Sequence, residues 1–102
     1  MGAYSIILEK ENTLRVNFGD PAQNDQIVKD AAHCLDALVK SGKITGGEII
    51  RVTGPASVPV AMVLAHGLSH LYQAVACYDP KLSKYVVAIA HGNKYGVGDL
   101  ID

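Results

Sequence analysis

Ala74-Val-Ala-Cys-Tyr-Asp-Pro-Lys-Leu-Ser-Lys-Tyr-Val-Val-Ala-Ile-Ala-His91 is the stretch whose reading decides the fold. Both of its arms are rich in Val, Ala, Ile and Tyr, which suits two sheet strands. Asp79-Pro80 supplies the turn between them, because aspartate opens turns and proline fixes φ there. The first arm ends in Tyr78, Asp79 and Pro80, and the second runs through Tyr85, Val86, Val87 and Ile89 to His91. Asp79 and His91 therefore mark opposite tips of one hairpin, on the order of 25 Å apart at about 3.3 Å per residue.

Working outward, an apolar helix precedes the hairpin. Ser57 is its N-cap candidate, Pro59 sits in its first turn, and Val60, Met62, Val63, Leu64, Ala65, Leu68 and His70 follow. It is apolar nearly all round, so burial on both sides is expected, with Val60, Val63, Leu64 and Gly67 as a stripe for a twin subunit. Before it come a strand over 48–53 and the loop Gly54-Pro55-Ala56-Ser57. Strand, helix and hairpin arm then form a crossover with parallel strands, right-handed by the general rule.

Further upstream, Tyr4–Leu8 and Thr13–Phe18 read as two strands around a polar turn at Glu9–Asn12. A helix follows, capped by Asp20 or Asn24, with Ile27, Ala31, Leu35, Leu38 and Val39 on one face and a left-handed stop at Gly42. The glycine-rich tail from Gly92 ends within an edge strand, which suggests a domain excised from a longer chain. The order is β-β-α-β-α-β-β: an α/β fold with a mixed sheet and one domain over 1–102.

The 102 residues are 49% hydrophobic, enough for a core without disulfides or metals as staples. Cys34 and Cys77 fall in a helix and a strand, where two reduced core thiols are expected, and with them a cytoplasmic setting. No apolar run is long enough to span a membrane. The net charge of −1, with acids and bases interspersed, argues against a broad electrostatic grip on long nucleic acid. Neither DNA nor a membrane is expected as a partner.

Three constellations could carry chemistry. The Gly54–Ser57 loop lies beyond the carboxyl end of a crossover strand, where helix amides can accept phosphate. On the motif alone it reads first as an ordinary tight turn between strand and helix. His66 and His70, at i and i+4, share a helix face as a metal pair would, or are simply polar tips at the end of a helix. Asp79 and Lys81 flank Pro80 as turn chemistry, or as a carboxylate and a cation beside the anion cradle. His91 lies at the other pole, near His70.

Tyr78-Asp79-Pro80-Lys81-Leu82, then Val86-Val87 and His91, preceded by Leu64-Ala65-His66 and His70, resemble the small manganese-dependent ring nucleases associated with type III CRISPR systems. The resemblance is clearest from about Val52 to Ile101. It implies a Rossmann-like fold, distantly related to the sensor domains of CRISPR accessory proteins. It also implies a homodimer and, in some members, fusion to an ATPase domain. The implied activity is metal-dependent cleavage of cyclic oligoadenylate, notably cyclic tetra-adenylate. A non-catalytic sensor of that messenger and an RNA 3′-end exonuclease acting on short adenylate RNA are the alternatives. By similarity His70, Asp79, Lys81 and His91 are catalytic, Gly54, Pro55, Ala56 and Ser57 bind ligand, and His66, His70 and Asp79 hold Mn²⁺ or another divalent metal. Lys81 stands where the family commonly has arginine, which keeps the charge but loses the bidentate fork. With its poles so far apart, the chain would complete its site by head-to-tail stacking of dimers around the ligand.

Overall fold

The computed structural model describes residues 2–10 and 12–102. Six strands and two helices follow in the order β1 (Tyr4–Glu9), β2 (Thr13–Phe18), α1 (Asn24–Lys40), β3 (Gly47–Thr53), α2 (Val58–Ser69), β4 (Tyr72–Asp79), β5 (Lys84–Ala90) and β6 (Leu100–Ile101). The α/β class and mixed sheet are as the sequence predicts, and the tail contributes the short β6. The β1–β2 turn includes Glu11, which lies outside the described residues.

The strands lie in the sheet in chain order, β1-β2-β3-β4-β5-β6. β1 and β2 form an antiparallel hairpin, β3 runs parallel to both β2 and β4, and β5 runs antiparallel to β4 and to β6. Both helices are thus crossovers between parallel neighbours. Two crossovers stepping the same way along a sheet put their helices on one face when both have the usual hand. Both helices here share one face and one core. Leu14, Val16, Ile50, Val52 and Val75 from the sheet meet Ala31 and Leu35 of α1 and Val60, Leu64 and Leu68 of α2. Burying each such side chain stabilises the fold by roughly 1.5–3 kcal/mol. The second face carries a smaller cluster, Ile49, Ala74, Ala76 and Val87, partly covered by Tyr85, Tyr95 and Ile101. The β4–β5 register shifts between Val75 and Ala76, which pair with Ile89 and Val87 and leave Ala88 as the extra residue of a bulge.

Several local expectations change. Neither Asp20 nor Asn24 caps α1; Gln23 stands at the N-cap position without a side-chain bond, and Asn24 instead accepts the Ser57 hydroxyl at 2.9 Å. Ser57 does cap α2, accepting from the Val60 amide. Within one chain helix α2 is covered on one side, and the side left open is not the expected one. Val60 and Leu64 of the expected twin-subunit stripe are 0% and 3% exposed against this chain's own sheet. A Cβ at Gly67 would lie 2.6 Å from Leu35 of α1, so that side is occupied too. The uncovered side is Val58 and Met62, 70% and 68% exposed. Cys77 is exposed rather than in the core, and both cysteines are free. Among the described residues no helix is long and apolar enough to cross a membrane.

Candidate functional site

The histidines gather at one end of the sheet. His70 is the C-cap of α2, and His66 lies one turn before it, so helical geometry alone brings the rings together. Their centroids are 4.8 Å apart and their planes cross at 80°, edge to face. Both are exposed. They stand at the lip of a groove of about 360 Å³ between the helices, lined also by Asp36, Val39, Val63 and Leu71. Gly67 shapes this groove by letting Leu35 approach α2 closely. Asp36 is engaged with Lys40 at 2.9 Å. His91 follows the last residue of β5, and its amide donates to the Gln73 carbonyl at 2.7 Å. Gln73 is the second residue of β4 and only three residues beyond His70, so His91 belongs to the same end of the molecule.

Asp79 lies at the other end. It is the last residue of β4 and pairs with Lys84 across the hairpin. One carboxylate oxygen accepts the amides of Lys81 at 2.9 Å and Leu82 at 3.3 Å. That is the turn chemistry of the sequence reading, and it leaves the second oxygen open. Lys81 is exposed and has no carboxylate partner among the described residues.

The Gly54–Ser57 loop sits at this same end, and its composition has a structural cause. Gly54 adopts φ +126°, and a Cβ there would lie 1.9 Å from the Val16 carbonyl oxygen, so glycine is needed for close approach to β2. The Pro55 carbonyl accepts the Tyr4 hydroxyl at 2.5 Å. Pro55 and Pro59 have no N–H, and the Val60 N–H is already bound to Ser57. The amides of Ala56, Ser57 and Val58 have no partner among the described residues. Three amides are a smaller anion site than a glycine-rich cradle would provide.

The expected metal set of His66, His70 and Asp79 does not come together in one chain. The length of β4, on the order of 25 Å, separates the histidines from the aspartate. No group of three or more metal-ligating side chains occurs among the described residues. The His66–His70 pair by itself fits as part of a coordination shell. Imidazole matches zinc, iron or nickel better than manganese, whose remaining ligands would be oxygens of water and phosphate.

Sequence reasoning missed Asp36, although it follows Leu35 and shares a helix side with Val39. It also missed Arg15 and Arg51, which strand alternation puts opposite Leu14, Val16, Ile50 and Val52, on the second face of the sheet.

Residues 22–102 match the family model described as CRISPR-associated protein (Cas_csx3). Neither the curated proteins nor the solved structures contain a match.

Proposed function

Because the chain belongs to the CRISPR-associated Cas_csx3 family, and so to CRISPR defence, we propose that it is a cytoplasmic, metal-dependent phosphodiesterase that opens cyclic tetra-adenylate. The observation that carries this reading is the gathering of His66, His70 and His91 at one exposed end of the sheet, beside a groove. Opening a phosphodiester ring requires an attacking oxygen, from water or the adjacent ribose 2′-hydroxyl, to bond phosphorus and give up its proton, a proton for the leaving oxygen, and compensation of the phosphate charge. His70, solvent-exposed at a helix end, would move that proton, with His91 at the same end of the sheet. Lys81 and the amides of Ala56 and Ser57 offer positive charge and donors to adenylate phosphates. A divalent ion, Mn²⁺ by likeness to the ring nucleases, would polarise the scissile phosphate when bound. His66 and His70 would hold it, and where His70 is a ligand the proton falls to His91.

Groups separated by the length of β4 cannot act on one phosphate, since catalytic contacts span about 3 Å. The proposed working form is therefore a stack. Dimers form through the uncovered side of α2, and the Asp79 end of one dimer meets the histidine end of the next around the ligand. Asp79 would join the metal or the phosphate only across that contact. The apolar groove of about 250 Å³ between α2 and the β4–β5 hairpin, lined by Ala61, Ala65, Cys77 and Ile89, adjoins Val58 and Met62 and would seat the twin subunit.

A sensor reading is favoured by two observations: Asp79 is bound within its own turn, and no complete metal set lies among the described residues of one chain. The same surfaces would then bind the messenger and regulate an effector, for instance a fused ATPase domain. Incubation with cyclic tetra-adenylate, with and without Mn²⁺, decides. Metal-dependent ring opening supports the enzyme, and saturable binding without turnover supports the sensor. Degradation confined to linear adenylate RNA would replace both with an exonuclease.

A further inference from the structure

The chain that leaves β5 turns back at the histidine end, and what holds it there bears on His91. His91 continues the β4–β5 ladder one step beyond the Ala74–Ala90 pair, with its amide on the Gln73 carbonyl at 2.7 Å. The residue is exposed, so packing around its ring does not fix it and its backbone must. β6 pairs with β5 at Tyr85 and Val86, and Val87 exchanges backbone bonds with Gly98 and Asp99. Beyond Val87 no strand borders the outer side of β5 among the described residues. The segment that follows His91 holds Gly92, Gly96 and Gly98, whose backbone freedom makes an anchor necessary.

Gln73, Glu48 and a buried patch supply that anchor. The Gln73 carbonyl takes the His91 amide, and the Gln73 side chain lies against Gly92, where a Cβ would come within 2.6 Å of Oε1. Lys94 reaches Glu48, the second residue of β3, at 2.9 Å. Tyr95 packs against Ile49, Ala74, Ala76 and Val87, with Lys94 Nζ 5.8 Å from its ring centre. From His91 to Leu100 every residue but Tyr95 is exposed. The Glu48 and Lys94 side chains are 59% and 62% exposed, and an ion pair in water holds little by itself. The Tyr95 ring is therefore the main anchor, and the ion pair braces it.

We propose that Tyr95, braced by the Glu48–Lys94 pair, is a positioning residue for His91; its kinetic consequence rests on the phosphodiesterase reading, in which His91 moves the proton when His70 is on the metal. Tyr95 lies four residues beyond His91, a reach of about 13 Å at most. With one end of that span on Gln73 and the other under the ring, the backbone that carries His91 has little room to shift. A proton donor must meet the leaving oxygen at about 3 Å, and a misplacement of about 1 Å can cost on the order of a hundredfold in rate. Tyr95 touches no reacting atom and acts only through where it keeps His91.

Amide hydrogen exchange and ring-opening kinetics of the full chain test it together. In Tyr95→Ala the His91 amide should exchange on the order of tenfold faster. The Gly47 amide, bonded to the Leu71 carbonyl at the same end of the sheet, should keep its wild-type rate. With cyclic tetra-adenylate, kcat should fall on the order of tenfold or more while KM stays nearly constant, as when an interaction made only in the transition state is weakened. Tyr95→Phe should restore both readouts, because the ring and not the hydroxyl packs. Glu48→Lys and Lys94→Glu should each speed His91 exchange, and the two together should slow it again. Thermal melting confirms that each variant folds, and the charge reversals carry the comparison if Tyr95→Ala does not. Wild-type exchange at His91 in folded Tyr95→Ala would overturn the proposal, as would a loss confined to KM. A wild type that opens no ring defeats the phosphodiesterase reading instead, and the exchange rates still decide whether Tyr95 holds His91.

Discussion

Tyr4, the first residue of β1, donates its hydroxyl to the Pro55 carbonyl at 2.5 Å, tying the sheet edge to the loop that opens α2. The side chain is 2% exposed, and burial raises its pKa from 10.0 to about 12. A neutral hydroxyl favoured by the fold contributes stability that is complete below pH 10 and is lost as pH rises toward 12. Tyr4→Phe should cost about 1 kcal/mol at neutral pH by leaving the carbonyl unbonded. The variant should also lose part of the wild type's alkaline destabilisation. Denaturant unfolding between pH 7 and 11 checks both.

Asp30 does the corresponding work in acid. It accepts the Ala3 amide at 2.6 Å and the Gln26 side chain at 2.9 Å. The Ala3 bond chiefly, then Gln26, holds its carboxyl below the usual range. The resulting stability is present above about pH 4, the unfolded value, and is lost as pH falls through the lower folded value. Asp30→Asn keeps one acceptor but cannot titrate. Its melting temperature should therefore fall less steeply than that of the wild type between pH 5 and 2.

Gly54→Ala separates structure from ligand binding. A Cβ there meets the Val16 carbonyl and must hold φ +126°, so a loss on the order of 3 kcal/mol or more is expected. Ala56→Gly, in the same loop but with no such contact, should melt close to wild type. If Gly54→Ala melts at the wild-type temperature, the loop is not braced against β2 as described.

Turnover is the readout for the shared site. Asp79→Ala and His70→Ala should each lose on the order of 10²–10⁴ in rate. Mixed, they should recover part of it, since a stacked contact can pair an intact aspartate end with an intact histidine end. Two folded, ligand-binding variants that stay inactive together would return the chemistry to the histidine end alone.

The uncovered side of α2 gives the last prediction. Met62 is exposed within an apolar surround, so Met62→Glu should convert the proposed dimer to a single chain in sedimentation while leaving the melting of each chain nearly unchanged. A wild type that already sediments as one chain at micromolar concentration would remove the dimer.

Elements with a period were legible in the sequence. Leu14, Val16 and Phe18 alternate in β2, and Ile27, Ala31 and Leu35 recur at helical spacing in α1; both elements form. The separation of Asp79 from His91 was also legible, because it needs only the hairpin. The sidedness of α2 was not. A helix apolar all round has no moment to read, and tertiary packing alone decides that Val60 and Leu64 turn inward while Met62 turns out. The cap of α1 was hidden because Asn24 found a distant partner in Ser57. The hold of Glu48 and Tyr95 on the chain after His91 was hidden because it joins β3 and the sheet to the tail, which no local pattern carries.

The chain-ordered sheet has a kinetic consequence. Each strand pairs with the one made just before it, so the only long loops to close are the two helical crossovers, from Phe18 to Gly47 and from Thr53 to Tyr72. Local hairpins at both ends and helical crossovers between them place folding nearer to mixed α/β domains than to slow barrels. A ribosome releasing this chain would deliver every strand onto an edge that is already waiting for it.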